Sequence, residues 1–307
     1  MIIGHQKQWE FLKKCAESGK LSHAYLFLGQ EKLGKKTLAL EFIKLLNCEN
    51  PGLSPCQTCR SCQDIQKRQH PDLTMVEPEK KAIQISQIRD LSWKLSLRPY
   101  SASFKAAIID QAHSMNQEAQ SCFLKTLEEP KGKALLILIT EYPEMLFPTI
   151  LSRVQKIKFY PVKKTEVEEY LKSQAISEKE SEQIGELCLG KPGLAVDFVK
   201  LPQKLEIQKQ KIEELTFLTS SDLASRFQYA KEITRQSQNL KETLDIWLKH
   251  FRGILLSKIH GKEDENFRHY PLNKLRNILK LVQSTNFLIS TTNVNPRLAL
   301  EILMLEL

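Results

Sequence analysis

A parallel α/β domain followed by a run of helices is the architecture this sequence predicts, and three observations predict it. Strand-length apolar runs alternate with amphipathic helical stretches through the first half of the chain. The first of these strands, Ala24 to Leu28, enters a glycine-containing turn and then a helix, AYLFLGQEKLGKKTLALEFIKLL. That is the layout of a loop whose backbone N–H groups cradle phosphates at a helix N-terminus. From Leu205 onward long helical segments dominate, with charged residues on their polar faces.

The loop departs from its pattern where the chemistry is most demanding. Gly29, Gly34 and Lys35 fit, but the hydroxyl that should coordinate Mg²⁺ is replaced by Lys36, and Thr37 comes one place late. A second ammonium is a poor substitute for a metal ligand. The chain continues with a candidate metal module, CENPGLSPCQTCRSC, in which Cys48, Cys56, Cys59 and Cys62 stand close together. Four thiolates at about 2.3 Å close the tetrahedral shell of a structural Zn²⁺ and leave no open catalytic position. Pro51, Gly52 and Pro55 let the chain double back between them; free, partly buried thiols are the alternative reading. Cys15, Cys122 and Cys188 fall singly in helical patterns and are expected in the core.

Next come HPD (His70 to Asp72), a strand in DLTMVEP, and a helix marked by Ile85, Ile88, Leu91 and Leu95. Lys105 to Asp110 reads as a buried strand ending in a carboxylate. P-loop ATPases use such an Asp on Mg²⁺ and usually follow it with a Glu, whereas here Gln111 follows, and a neutral amide is no general base. A helix from Asn116 is expected to end at Pro130. A buried strand covers Ala134 to Thr140, and Ser152-Arg153 precede a last strand before Pro161. Asp110, Glu128 and Glu129 could equally be capping and ion-pairing residues, and Arg153 alone would read as a surface arginine.

The chain of 307 residues has a formal charge of +9 with an ordinary soluble composition. Residues 1–160 carry 23 Lys and Arg against 16 Asp and Glu, a net +7, which fits a polyanionic partner and fits a plain solubility charge as well. No apolar run approaches the roughly 20 residues needed to cross a bilayer, and no secretory signal is visible, so a cytoplasmic location without membrane association is expected.

Taken in order, SHAYLF, the loop, the four cysteines, HPD, the strand ending in Asp110, LKTLEEP and LSR resemble the bacterial DNA polymerase III clamp loader, an AAA+ assembly. The match covers residues 1–200, and NPRLALE (Asn295 to Glu301) resembles the family's collar. The resemblance implies an AAA+ P-loop domain over 1–161 with its zinc module at 48–62, a small helical lid over 162–204, and an all-helical collar over 205–307. Within the family it points to the subunit type with eroded ATPase residues and a surviving finger, rather than to the gamma/tau motor subunit. Lys36, Gln111, and Gly193-Leu194 where an ATP-sensing arginine would fall all support this. Ser152 and Arg153 would then form an arginine finger acting in trans, with Val154 where the family has Cys. Gly29, Gly34, Lys35, Thr37 and Asp110 would be a degenerate nucleotide site that makes no use of ATP and Mg²⁺. The implied partners are the motor and delta subunits of a heteropentameric ring, the sliding clamp, and primed DNA contacted through its phosphates without sequence preference.

Overall fold

The computed structural model describes residues 2–50, 52, 54–79, 82–100, 102–129, 133–235, 240–259, 261, 270–291 and 294–307. Pro51 and Pro130, to which the sequence assigned a turn and a helix stop, lie outside them. The chain divides into two compact units, Met1–Val196 and Asp197–Leu307.

The first unit opens with helix α1 (Gln6–Glu17), which the sequence reading did not anticipate, and strand β1 (Ala24–Leu28). Helix α2 (Lys35–Asn47), the short α3 (Arg60–Gln66) and β2 (Leu73–Val76) follow, then α4 (Ile85–Ser96), β3 (Lys105–Ile109), α5 (Gln117–Glu128) and β4 (Ala134–Thr140). A four-residue α6 (Pro148–Leu151) leads into β5 (Gln155–Lys158). Three helices close the unit: α7 (Lys164–Ser173), α8 (Glu178–Leu187) and α9 (Pro192–Lys200), the unit boundary falling within α9.

The five strands form one parallel sheet in the order β2-β3-β4-β1-β5, with Leu26 opposite Leu138 on one side and Lys156 on the other. Because successive strand residues face opposite ways, the apolar runs are buried on both faces. Tyr25, Phe27, Ile108 and Ile137 pack with Leu38, Phe42 and Ile43 of α2. Ala24, Leu26, Ala107 and Leu136 pack with Ile88 and Leu91 of α4 and with Phe123 and Leu127 of α5. On the second face Ile88, Leu91 and Leu95 belong to the stripe that the sequence spacing marked. The fold is of the α/β class, a parallel sheet with helices on both faces followed by a helical C-terminal region.

The HPD segment has a structural task. The buried Asp72 carboxylate accepts hydrogen bonds from Tyr100 N–H (2.8 and 3.0 Å to its two oxygens) and from Ala102 N–H (3.0 Å), and His70 Nδ1 accepts from Asp72 N–H at 3.1 Å. Two backbone donors of the segment leading into β3, and the N–H of Asp72 itself, are satisfied in this way, as buried polar groups require. Of the single cysteines only Cys188 is fully buried. Cys15 and Cys122 are half-buried, Cys122 packing against the cluster under α4 and α5.

The second unit contains α10 (Pro202–Ser220), α11 (Leu223–Arg235), α12 (Leu240–Ile259), α13 (Leu272–Thr291) and α14 (Pro296–Glu306). Its core gathers Leu215, Leu244, Trp247, Phe251, Leu275, Ile278, Leu300 and Leu303. Arg226 secures two helix ends at once. Its guanidinium donates to Leu218 O (2.9 Å) and Thr219 O (3.1 Å) at the end of α10 and to Met304 O (3.2 Å) near the end of α14. A cation at helix C-termini satisfies orphan carbonyls and opposes the helix dipole. The NPRLALE stretch is the start of α14: Asn295 Oδ1 accepts from Arg297 N–H at 3.0 Å, Pro296 takes the first helical position, and Arg297 pairs with Glu301 at 2.7 Å. No described helix is long and apolar enough to cross a membrane.

Candidate functional site

In an open α/β sheet the crevice lies beyond the carboxyl ends of the strands, where the strand order reverses. Here that point is the end of β1, which lies between β4 and β5 although they follow it in sequence. The Gly29–Gly34 loop leaves β1 at this edge, and Asp110 leaves the end of β3 there. Gly29 has φ 148° and its absent Cβ would lie 2.6 Å from Phe159 O, so no other residue fits without moving the backbone. Gly34, at φ 90°, caps α2 in the left-handed region that L side chains avoid.

Both lysines at the start of α2 are engaged by the protein itself. The buried Lys35 ammonium folds back to donate to Gly29 O and, at 2.6 Å, to Gln30 O. Burial pulls its pKa below the ordinary lysine value, and Glu141 and Asp110 partly offset this. Lys36 reaches across the sheet edge to Glu77, just beyond β2, and to Asp110 Oδ2 at 3.1 Å. The ammonium is thus the cation that the Asp110 carboxylate faces. Glu77 is a partner the sequence reading missed, because nothing in DLTMVEP distinguishes a functional acid from a strand-end charge. Thr37 is exposed in the first turn of α2, and Gln111 adopts φ 49° with its N–H on Asp110 Oδ1 at 3.0 Å. Thr140, buried at the end of β4, bonds His113 Nδ1 at 3.0 Å, and burial lowers the pKa of that imidazole.

The N-terminus of α9 docks onto the same loop. Gly193 N–H donates to Lys32 O at 2.8 Å, and a Cβ on Gly193 would stand 2.9 Å from that oxygen. Gly193, one of the two residues at which the resemblance places an ATP-sensing arginine, is therefore in backbone contact with the loop, where a side chain would crowd Lys32 O. The His5 ring nitrogen bonds the neighbouring Leu33 O at 2.7 Å, so the carbonyls of the loop's second half are held by protein groups.

Ser152 and Arg153 lie apart from this crevice, at the exposed turn between α6 and β5. The Arg153 guanidinium donates to Thr149 O (3.0 Å) and Ser152 Oγ (3.3 Å) and pairs with Glu128 of α5 at 2.9 Å. Val154, in place of Cys, tucks against the apolar cluster under α4 and α5.

The four cysteines converge. Their sulfurs lie within 4.8 Å of one another, with Cys48 and Cys59 at 4.0 Å. Tetrahedral coordination at about 2.3 Å requires sulfurs about this close, so the set can hold a metal ion. Backbone N–H groups already point at the sulfurs: Cys56 N–H to Cys48 (3.5 Å), Cys59 N–H to Cys56 (3.3 Å) and Cys62 N–H to Cys59 (3.4 Å). Hydrogen bonds from the backbone of Cys59 and from the side chain and backbone of Thr58 pull the Cys56 thiol down to about 5, whereas burial pushes Cys62 up. Donors aimed at sulfur favour the thiolate that a metal needs.

Residues 4–163 match the family model described as DNA polymerase III, delta subunit. Among individual relatives, the chain is 38% identical over 168 residues to DNA polymerase III subunit delta' of Bacillus subtilis, covering 55% of this chain and 51% of that one. It is 37% identical over 135 residues to subunit delta' of Pseudomonas aeruginosa, covering 43% and 41%. It is also 33% identical over 159 residues to subunit tau of Bacillus subtilis, covering 52% and 28%. The aligned part thus spans about half the length of these relatives or less. A solved gamma subunit-related protein of Thermotoga maritima superposes over 97% of both chains with a TM-score of 0.48 at 21% identity. With the family model covering more than half of its length, the chain belongs to the DNA polymerase III delta-subunit family, a clamp-loader family of DNA replication.

Proposed function

We propose that this chain is the delta-prime subunit of a clamp loader, silent at its own nucleotide site and supplying Arg153 in trans to a neighbouring motor subunit. The observation that carries the reading is the Lys36 ammonium on Asp110 and Glu77. A fixed cation there occupies the acid that would otherwise serve Mg²⁺, and Gln111 offers no carboxylate to polarise water. The residues present do not fit an ATP–Mg²⁺ centre, and no catalytic step is assigned to it. Arg153, by contrast, is exposed on a turn and planar enough to grip a phosphate at two points. A finger of this kind stabilises charge on a transferring γ-phosphate and is worth about 10³–10⁵ in rate in GTPases.

The same proposal assigns the three parts of the chain. Residues 1–161 present the finger, the +7 charge toward primed DNA and a structural Zn²⁺ on Cys48, Cys56, Cys59 and Cys62. Residues 162–204 form the lid, and the helices after Leu205 form the collar that assembles with motor and delta subunits around the sliding clamp. The rival reading, an ATP-hydrolysing gamma/tau motor, draws on the identity to subunit tau. Reconstituting the ring with single variants decides between them. In a delta-prime, Lys35→Ala in this chain leaves the ring's ATP hydrolysis and clamp loading unchanged, and Arg153→Ala lowers both. In a motor, Lys35→Ala is the damaging change and the isolated wild-type chain turns over ATP.

A further inference from the structure

Between α2 and the cysteine module lies a buried charge that neither the nucleotide loop nor the thiolates explain. The Lys44 ammonium, 1% exposed, sits one helical turn before the ligand Cys48. Its three N–H donors are all used: on Glu41 Oε1 at 2.8 Å, on Gln57 Oε1 at 2.9 Å, and on Gln66 Oε1. Gln57 returns a bond from its Nε2 to Glu41 Oε2 at 2.7 Å, so its amide bridges both members of the ion pair. Gln57 is the residue after Cys56, held at φ 62°, and Gln66 ends α3, the helix that carries Cys62. The two amides close over Lys44 from the module side, and a buried charge is tolerated only when so completely satisfied.

We infer that Lys44 and Glu41 are positioning residues for the metal site: through Gln57 and Gln66 they hold the Cys56–Cys59 turn in its ligand-binding shape and tie metal occupancy to the order of α2. Residues 41, 44 and 48 lie on one face of the helix that begins at the nucleotide loop, so the link runs from the thiolates to that helix. Partners behind metal ligands commonly change affinity by about 10–100-fold when removed. The inference rests on the proposed zinc, and the test separates the two.

Zinc-loaded protein is titrated with a chromophoric zinc chelator, and amide hydrogen exchange is followed over residues 38–47 with and without zinc. Gln57→Ala removes an exposed side chain and leaves the ion pair in place. Glu41→Met with Lys44→Met removes both charges together, so that neither is stranded in the core. Both variants are expected to fold, to lose zinc about 10–100-fold more readily than wild type, and to blunt the increase in exchange that zinc removal causes in wild-type α2. Wild-type zinc affinity in both folded variants, or exchange in α2 that ignores zinc in the wild type, overturns the inference. A wild-type chain that holds no zinc overturns the metal reading as well.

Discussion

At the scale of single residues, two ammonium groups decide what the loop can hold. Lys35 is spent on the loop's own carbonyls and Lys36 on Asp110 and Glu77, although both stand in the first turn of a helix whose free N–H groups favour anions. Replacing Lys36 by Thr removes the fixed cation and restores a hydroxyl of the kind Mg²⁺ prefers. Lys36→Thr is therefore expected to gain Mg²⁺-dependent nucleotide binding, measured by titration calorimetry with and without EDTA, while turnover stays at background because Gln111 remains. Identical binding by variant and wild type under both conditions would show that Lys36 does not guard the site. The eroded positions 36 and 111 were legible in the sequence because the motif fixes what each should be. Glu77 and the folding-back of Lys35 were not, since both depend on strand order and on a side-chain path that no local pattern encodes.

At the scale of elements, helices are joined to neighbours by contacts with little tolerance. The α9 N-terminus meets the loop through Gly193 N–H and Lys32 O, and a Cβ would crowd that oxygen at 2.9 Å. Gly193→Ala is expected to destabilise the protein by about 1–3 kcal/mol, as overpacking does, read as a lowered midpoint of denaturant unfolding. An unchanged midpoint would mean that α9 shifts freely. The cysteine module is a second such joint. Cys59→Ser should abolish metal retention, seen by elemental analysis, and loosen residues 48–62 toward proteolysis, while the far-UV spectrum of the parallel sheet persists. Strands and amphipathic helices were legible from period alone, because apolar residues recur at the spacing each element buries. Helix α1 and the short α3 were missed: α1 buries only Trp9 and Leu12, and α3 spans seven residues of a cysteine-dominated stretch. The buried Lys44 network was invisible for a different reason. Its four residues are ordinary helix and turn polar residues until the chain doubles back and encloses them.

At the scale of the whole molecule, the two units serve different ends in the proposed reading, the first presenting the finger and the second assembling the ring. The surface pair between Arg153 and Glu128 is exposed on both sides, and such pairs contribute little net stability. Arg153 can therefore leave Glu128 for a phosphate at small cost, and Arg153→Ala should fold and assemble as the wild type does. The finger role is proposed for Arg153 from the order of the preceding motifs, because Ser152-Arg153 before the last strand is by itself only a surface arginine. The most direct measurement is single-turnover ATP hydrolysis in the assembled complex, comparing Arg153 with Ala and with Lys at this position. The account predicts loss of roughly a thousandfold or more at the adjoining site for Ala, and poor rescue by Lys, whose compact ammonium lacks the planar fork. An Arg153→Ala complex that assembles and hydrolyses at the wild-type rate would contradict it and leave this chain no role in hydrolysis.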